Sequence, residues 1–256
     1  MSTIYILTGA SRGLGEALAL RLLSPGNVLL CLARTRSTVL DREAEAAGVA
    51  LEWIKADLAE LAAGDGVEAL LKPGLERAGF SSASRLRLVN NAGVLEPIGP
   101  AQANDPEAVA RHIAVNLTAP LLLTGAFLRL TEQLAADKRI LQISSGAARK
   151  PYAGWSTYGA AKAGLDHHAR CVKLEQEGMP HGARIASVAP GVIDTSMQAQ
   201  IRGTEEELFP SRSRFVQLHE TGGLLSPDTA AEQLLALLED PRFGEEPVMD
   251  IRDWER

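Results

Sequence analysis

The chain is 256 residues long, with 46% hydrophobic and 23% charged side chains, which suits one large globular domain. Its formal net charge is −6 and no basic block stands out, the opposite of what a general nucleic-acid binder needs. The two cysteines, Cys31 and Cys171, sit in no metal or redox spacing, and the N-terminus has only a short apolar run with no basic lead. The expectation is a reduced, cytoplasmic setting without a membrane span or a metal site.

Short apolar runs alternate with longer amphipathic stretches. Strands are predicted at Thr3–Thr8, Asn27–Ala33, Val49–Ala56, Arg85–Asn90, Arg139–Ser144 and Arg184–Ala189, with a weaker seventh at Pro247–Ile251. Helices are predicted at Gly13–Leu23 and over 37–47, 65–78, 105–135, 156–177 and 227–239. Continuous Val/Leu/Ile runs between helices indicate a parallel sheet covered on both faces, hence an α/β, Rossmann-type doubly wound fold with seven strands in a single domain. The least regular stretch, Thr195 to Leu225, carries charges, Pro210 and the Gly222-Gly223 pair; ligands of such folds lie beyond the carboxyl ends of the strands, which makes it a candidate substrate lid.

Between the first strand and first helix runs Thr8-Gly9-Ala10-Ser11-Arg12-Gly13-Leu14-Gly15. Glycines there let backbone N–H groups approach a phosphate at a helix N-terminus. The spacing is G-x-x-x-G-x-G, not the usual dinucleotide fingerprint, and no Lys-Ser or Lys-Thr follows to make a nucleotide-triphosphate loop. The second strand ends in Arg34-Thr35-Arg36, with no carboxylate before Asp41 to take a ribose 2′-hydroxyl. Arg34, helped by Arg12, could instead hold a 2′-phosphate, so NADPH is the expected cofactor, with Gly9, Ser11, Arg12, Gly13, Leu14, Gly15, Arg34 and Thr35 as its candidate contacts. The alternative is two solvated surface arginines.

Ser145 ends the fifth strand, and Tyr158 and Lys162 stand four apart on one helix face. A lysine ammonium and an oxidised nicotinamide would each favour the phenolate, giving a tyrosine able to exchange a proton near neutral pH. Ser145 could donate to a substrate carbonyl oxygen. A Y-x-x-x-K match alone is common by chance; its company makes it informative.

That company is TGASRGLG (8–15), NNAG (90–93), Asn116, Ser145, Tyr158/Lys162 and PGVIDT (190–195), which together resemble the short-chain dehydrogenase/reductase family over essentially the whole chain. The resemblance implies Tyr158 as acid/base, Lys162 as its modulator and a ribose ligand, Ser145 as carbonyl orienter, and Asn116 as the holder, through its backbone carbonyl, of a relay water. Pro120 lies four residues after Asn116 and has no N–H to occupy that carbonyl; a plain helix kink is the alternative. The resemblance further implies Asp57 and Leu58 at the adenine, Asn90, Ala92 and Gly93 along the ribose and phosphates, and Pro190, Gly191, Ile193 and Thr195 at the nicotinamide. A homodimer through helices 105–135 and 156–177 is implied, with tetramers common in the wider family.

The stretches 145–166, 189–202 and 219–240 resemble the branch that holds sepiapterin reductases and bacterial benzil reductases. This implies NADPH-dependent reduction of one carbonyl of a 1,2-diketone to an (S)-hydroxyketone, or alternatively of a pterin side-chain ketone. Tyr152, Trp155, Phe209 and Phe215 would suit a flat substrate or simply pack the interior. Met197 reads as pocket wall. Asp250 falls where that branch carries an acid, or it merely ends the last strand. Two rival readings are a silent dinucleotide-binding protein, against which all four catalytic positions stand, and an NAD-linked dehydrogenase, against which Arg34 stands.

Overall fold

The structure is a computed structural model and describes residues 2–61 and 66–254. Seven parallel strands form one sheet: β1 (Thr3–Thr8), β2 (Asn27–Ala33), β3 (Ala50–Lys55), β4 (Arg85–Asn90), β5 (Asp137–Ile143), β6 (Arg184–Ala189) and β7 (Val248–Asp250), in the order β3-β2-β1-β4-β5-β6-β7. The chain runs outward one way to β3, then returns to pair β4 with the other side of β1. This reversal opens a crevice beyond the carboxyl ends of β1 and β4, the standard ligand position of such sheets.

The helices are α1 (Gly13–Arg21), α2 (Thr38–Ala47), α3 (Gly66–Arg77), α4 (Pro106–Ile113), α5 (Ala119–Thr131), α6 (Ser156–Gln176), α7 (Ser196–Gly203), α8 (Arg212–Glu220) and α9 (Pro227–Glu239). Residue 65, where the third helix was expected to begin, lies outside the described residues. Starts follow local chemistry. Ser37, Asp105 and Ser226 accept from the backbone N–H groups of Leu40, Ala108 and Thr229 at 3.1, 2.8 and 3.0 Å, and Pro106 and Pro227 occupy first-turn positions where a missing N–H costs nothing. One apolar layer, with Leu18, Leu40 and Leu234, packs α1, α2 and α9 on one face of the sheet. The other, with Leu71, Leu123, Phe127 and Ala169, packs α3, α5 and α6 on the opposite face.

Two elements differ from the sequence expectation. The helix foreseen over 105–135 is interrupted by a π-helical turn at Ala114–Thr118, because Pro120 cannot continue the α-helical ladder back to Asn116. The stretch foreseen as irregular folds into α7 and α8. Far from the crevice, at the amino edge of β4, the fully buried Arg87 bonds Glu239 of α9 (2.8 and 2.9 Å) and Asp137 at the start of β5 (2.8 Å), fastening α9 to the sheet.

Candidate active site

The loops after β1, β4, β5 and β6 meet at the carboxyl edge. Gly9 and Gly13 adopt left-handed backbone (φ 71° and 57°), which turns the chain sharply between β1 and α1. Gly15 packs so closely that a Cβ would lie 2.1 Å from the Gly9 carbonyl oxygen. The Thr8 hydroxyl accepts from the backbone N–H groups of Asn91 and Ala92 at 3.0 Å each, and Asn91 Nδ2 donates to the Thr8 and Gly9 carbonyls at 3.0 and 3.3 Å. Thr8 and Asn91 thus buckle the glycine loop to the NNAG turn, a role that sequence reasoning missed because it resides in one cross-loop hydrogen-bond set. Arg12, at the N-cap of α1, offers no side-chain acceptor to the first turn, so no side-chain cap occupies its N–H groups. Opposite, Thr195 turns its methyl toward Gly13, 3.5 Å from where a Cβ would stand.

Arg12 and Arg34 are exposed and make no ion pair among the described residues, whereas Arg36 is bound to Asp41. Ser11 lies half-buried in the loop, Leu14 is buried in the first turn of α1, and Thr35 is exposed beside Arg34. Asp57 accepts from Ala59 N–H (3.0 Å) and from Arg111 (2.7 Å), the latter holding its carboxyl below the usual range; Leu58 beside it is buried. The Asn90 side chain turns away from the crevice and donates to Thr124 Oγ1 at 3.3 Å. Ala92 is half-buried at the turn, and Gly93 sits against Asn116 and Lys162, a Cβ there lying 2.9 Å from Asn116 Oδ1 and 3.8 Å from Lys162 Nζ. Pro190 is buried, Gly191 is left-handed, and Ile193 pairs with Leu225 in a short bridge that ties the β6 loop to the start of α9.

Tyr158 and Lys162 lie on consecutive turns of α6 and are both buried. The Lys162 ammonium donates to the Ile143 carbonyl at 2.8 Å and lies 5.9 Å from the Tyr158 ring centre. Burial pushes Lys162 down to about 8, opposed by the Asp166 carboxylate one turn on. Asp166 accepts from the hydroxyls of Ser144 (2.6 Å) and Ser187 (2.8 Å), which fix it between β5 and β6. Burial raises Tyr158 above its ordinary value, partly offset by the Ser145 hydroxyl. Desolvation is thus the larger influence on the tyrosine, and it favours the neutral phenol. Ser145 Oγ accepts from Ala147 N–H at 3.2 Å, leaving its own O–H to donate elsewhere. Asn116 exchanges two hydrogen bonds with Val94, at 3.0 and 2.8 Å, so its side chain is structural while its carbonyl has lost its α-helical partner to Pro120.

An aromatic cluster roofs the tyrosine. Trp155 stands edge-on to Tyr158 (5.4 Å, 62°) and stacks on the fully buried Phe209 (4.4 Å, 23°), with Phe215 and Tyr152 at 5.4 and 5.2 Å. Met197 packs against the same group. His112, another residue that sequence reasoning missed, stands edge-on to Tyr158 (5.9 Å, 84°). Its only sequence signal is a position one helical turn before Asn116. Asp250, opposite Ala189 in register, is buried and bonded to Arg252 (2.7 Å) and more loosely to Arg149 (3.5 Å).

Comparison with known proteins agrees with this geometry. Residues 3–206 match the family model for short chain dehydrogenases. The chain is 36% identical over 246 residues to a benzil reductase ((S)-benzoin forming) of Bacillus cereus, covering 96% of this chain and 98% of the relative. It is 36% identical over 260 residues to the sepiapterin reductase of Meriones unguiculatus, covering 98% and 96%. A metagenomic short-chain oxidoreductase solved in complex with NADP superposes with a TM-score of 0.72 at 28% identity, covering 97% of this chain and 94% of that one.

Proposed function

Because the chain belongs to the short-chain dehydrogenase/reductase family, we propose that it is an NADPH-dependent carbonyl reductase that converts one carbonyl of a benzil-type 1,2-diketone to an (S)-hydroxyketone. The observation that carries this reading is the buried Tyr158–Lys162 pair, with the Ser145 hydroxyl beside the Tyr158 phenol, at the edge of a glycine-lined crevice.

The crevice fits a 2′-phosphorylated dinucleotide. The first turn of α1, without a side-chain cap, and its glycines suit the pyrophosphate, and the exposed Arg12 and Arg34, in no ion pair among the described residues, suit the 2′-phosphate. Gly93 would line the ribose and phosphate path, and Pro190, Gly191, Ile193 and Thr195 would flank the nicotinamide end. When bound, the cofactor supplies hydride. The protein's part is to hold and move a proton. The Ser145 hydroxyl donates to the substrate carbonyl oxygen and draws it toward Tyr158. A phenol kept neutral by burial is in the form a donor requires, and it gives its proton to that oxygen as charge develops there. Lys162, near 8, can return a proton at neutral pH, and the Asn116 carbonyl, which Pro120 cannot bond, would hold a water that recharges it.

Helices α7 and α8 and the segment between them would serve as the lid, carrying Met197, Phe215 and Phe209 against Trp155 to exclude water. Similarity to sepiapterin reductase favours a second reading, reduction of a pterin side-chain ketone. Asp250, which would anchor a pterin amino group, is paired with Arg252 and Arg149 and does not separate the two substrates. A homodimer through α4–α5 and α6, in the cytoplasm, completes the proposal.

The test is loss of NADPH absorbance with benzil and with sepiapterin, repeated with NADH and with Tyr158→Phe. Turnover of benzil with NADPH, abolished in the variant, is the expected result. Turnover of sepiapterin alone would shift the substrate to the pterin class, and full activity in Tyr158→Phe would overturn the proton-donor assignment.

A further inference from the structure

His112 is almost wholly buried (1% exposed) on the last turn of α4. Its Nδ1 lies 2.6 Å from the Glu96 carbonyl oxygen. A carbonyl can only accept, so Nδ1 carries the hydrogen and the ring is fixed by that bond. Burial, with the Lys162 charge nearby, holds the imidazole below its ordinary value, so it is neutral. Its ring meets the Tyr158 ring edge-to-face, and Trp155 makes a second edge contact with the same phenol. The same Glu96 reaches the other way: its carboxylate accepts from Gln200 Nε2 on α7 at 2.8 Å. A continuous line of contacts therefore runs from Tyr158 through His112 and Glu96 to the helix that covers the site.

We infer that His112 is a positioning residue for Tyr158, clamping the phenol ring and coupling its orientation to the docking of α7 through Glu96 and Gln200. Two features set this clamp apart from ordinary core packing. An aliphatic side chain would fill the same space without a directional bond, and here that bond goes to the residue that α7 grips. A helix seated on Glu96 draws the loop after β4, the imidazole and the phenol into one register. A displaced α7 releases the loop and lets the ring turn. Misplacing an acid by about 1 Å can cost on the order of a hundred-fold in rate, so a clamp of this kind acts on turnover rather than on cofactor affinity.

The inference rests on the proposed reductase activity, and its test separates the two. Steady-state kinetics are measured for the wild type, His112→Asn, Gln200→Ala and the double variant, with His112→Phe alongside. Asparagine keeps a donor for the Glu96 carbonyl but removes the ring; phenylalanine keeps the ring and removes the donor, and covers the case in which the smaller side chain unfolds the protein. The expected result is a kcat about ten-fold or more lower in His112→Asn, with the KM for NADPH unchanged. His112→Phe should fall between it and the wild type. Gln200→Ala should slow the wild type several-fold yet add nothing in the His112→Asn background, because the line is already cut. Additive losses in the double variant, or a rise in KM with kcat intact, would overturn the coupling. A wild-type protein that reduces no carbonyl at all would instead overturn the reductase reading.

Discussion

Replacing Lys162 by Met should make the protein's stability respond differently to pH. In the apoprotein the ammonium is buried, and its affinity for a proton falls from the ordinary 10.5 to about 8. Below about pH 8 both folded and unfolded chains carry that proton, and the folded chain bears the whole desolvation cost, roughly 3 kcal/mol at about 1.4 kcal/mol per pH unit. Above about pH 8 the folded chain releases the proton while the unfolded chain keeps it until about 10.5. The unfolded state then binds more protons, so stability rises with pH across that window. Between pH 7 and pH 9.5 the wild type should gain roughly 2 kcal/mol relative to Lys162→Met. The variant also leaves the Ile143 carbonyl without its 2.8 Å donor, at a cost of about 1–3 kcal/mol that does not vary with pH. Urea unfolding of both apoproteins at the two pH values isolates the pH-dependent part as a difference of differences. Parallel shifts in the two proteins would refute the claim that burial governs this lysine, and with it the account of why burial favours a neutral Tyr158.

Arg34→Ala should weaken NADPH binding far more than NADH binding, by about ten-fold or more for a lost charge-assisted contact; equal losses by fluorescence titration would dismiss the 2′-phosphate assignment. Gly15→Ala should abolish cofactor binding and lower the melting temperature, since a Cβ there would sit 2.1 Å from the Gly9 carbonyl oxygen and 2.5 Å from Asn91 Nδ2; an undisturbed titration would mean that the loop yields cheaply. Arg87→Met should cost about 3 kcal/mol in chemical denaturation, the low end for breaking a buried pair because Asp137 and Glu239 keep a third of their side-chain surface in water. It should also raise Asp137 from about 2, so that acid unfolding begins at higher pH; an unchanged acid limb would assign the lowering to Arg139 and Arg184 instead.

Much of the site is legible in the order of residues because it is local. A glycine turn after a strand, a serine at a strand end and a Tyr/Lys pair one helical turn apart are all short-range patterns, and strand and helix periodicity places them at one edge of a parallel sheet. The unusual backbone at Asn116 was partly legible too, since Pro120 removes a particular hydrogen bond wherever it stands in a helix. The segment from 195 to 225 was not, because α7 and α8 are short, and Met197, Ile201, Phe209 and Phe215 hold them to Trp155 in place of a long apolar stripe of their own.

What only the tertiary structure decided are the quantities set by neighbours distant along the chain. Thr8 meets Asn91, Tyr158 meets His112, Glu96 meets Gln200, and Asp250 meets Arg149, none within reach of any pattern in a window of residues. Proton affinities belong to the same class. From its sequence neighbour Lys162, Tyr158 should lean toward phenolate; in the fold the water around it is replaced by the Trp155 ring, and desolvation wins. The sequence by itself determined which chemical groups arrive at the crevice and on which elements. Their acidity and orientation depend on dielectric surroundings and directional contacts that exist only once distant segments pack together.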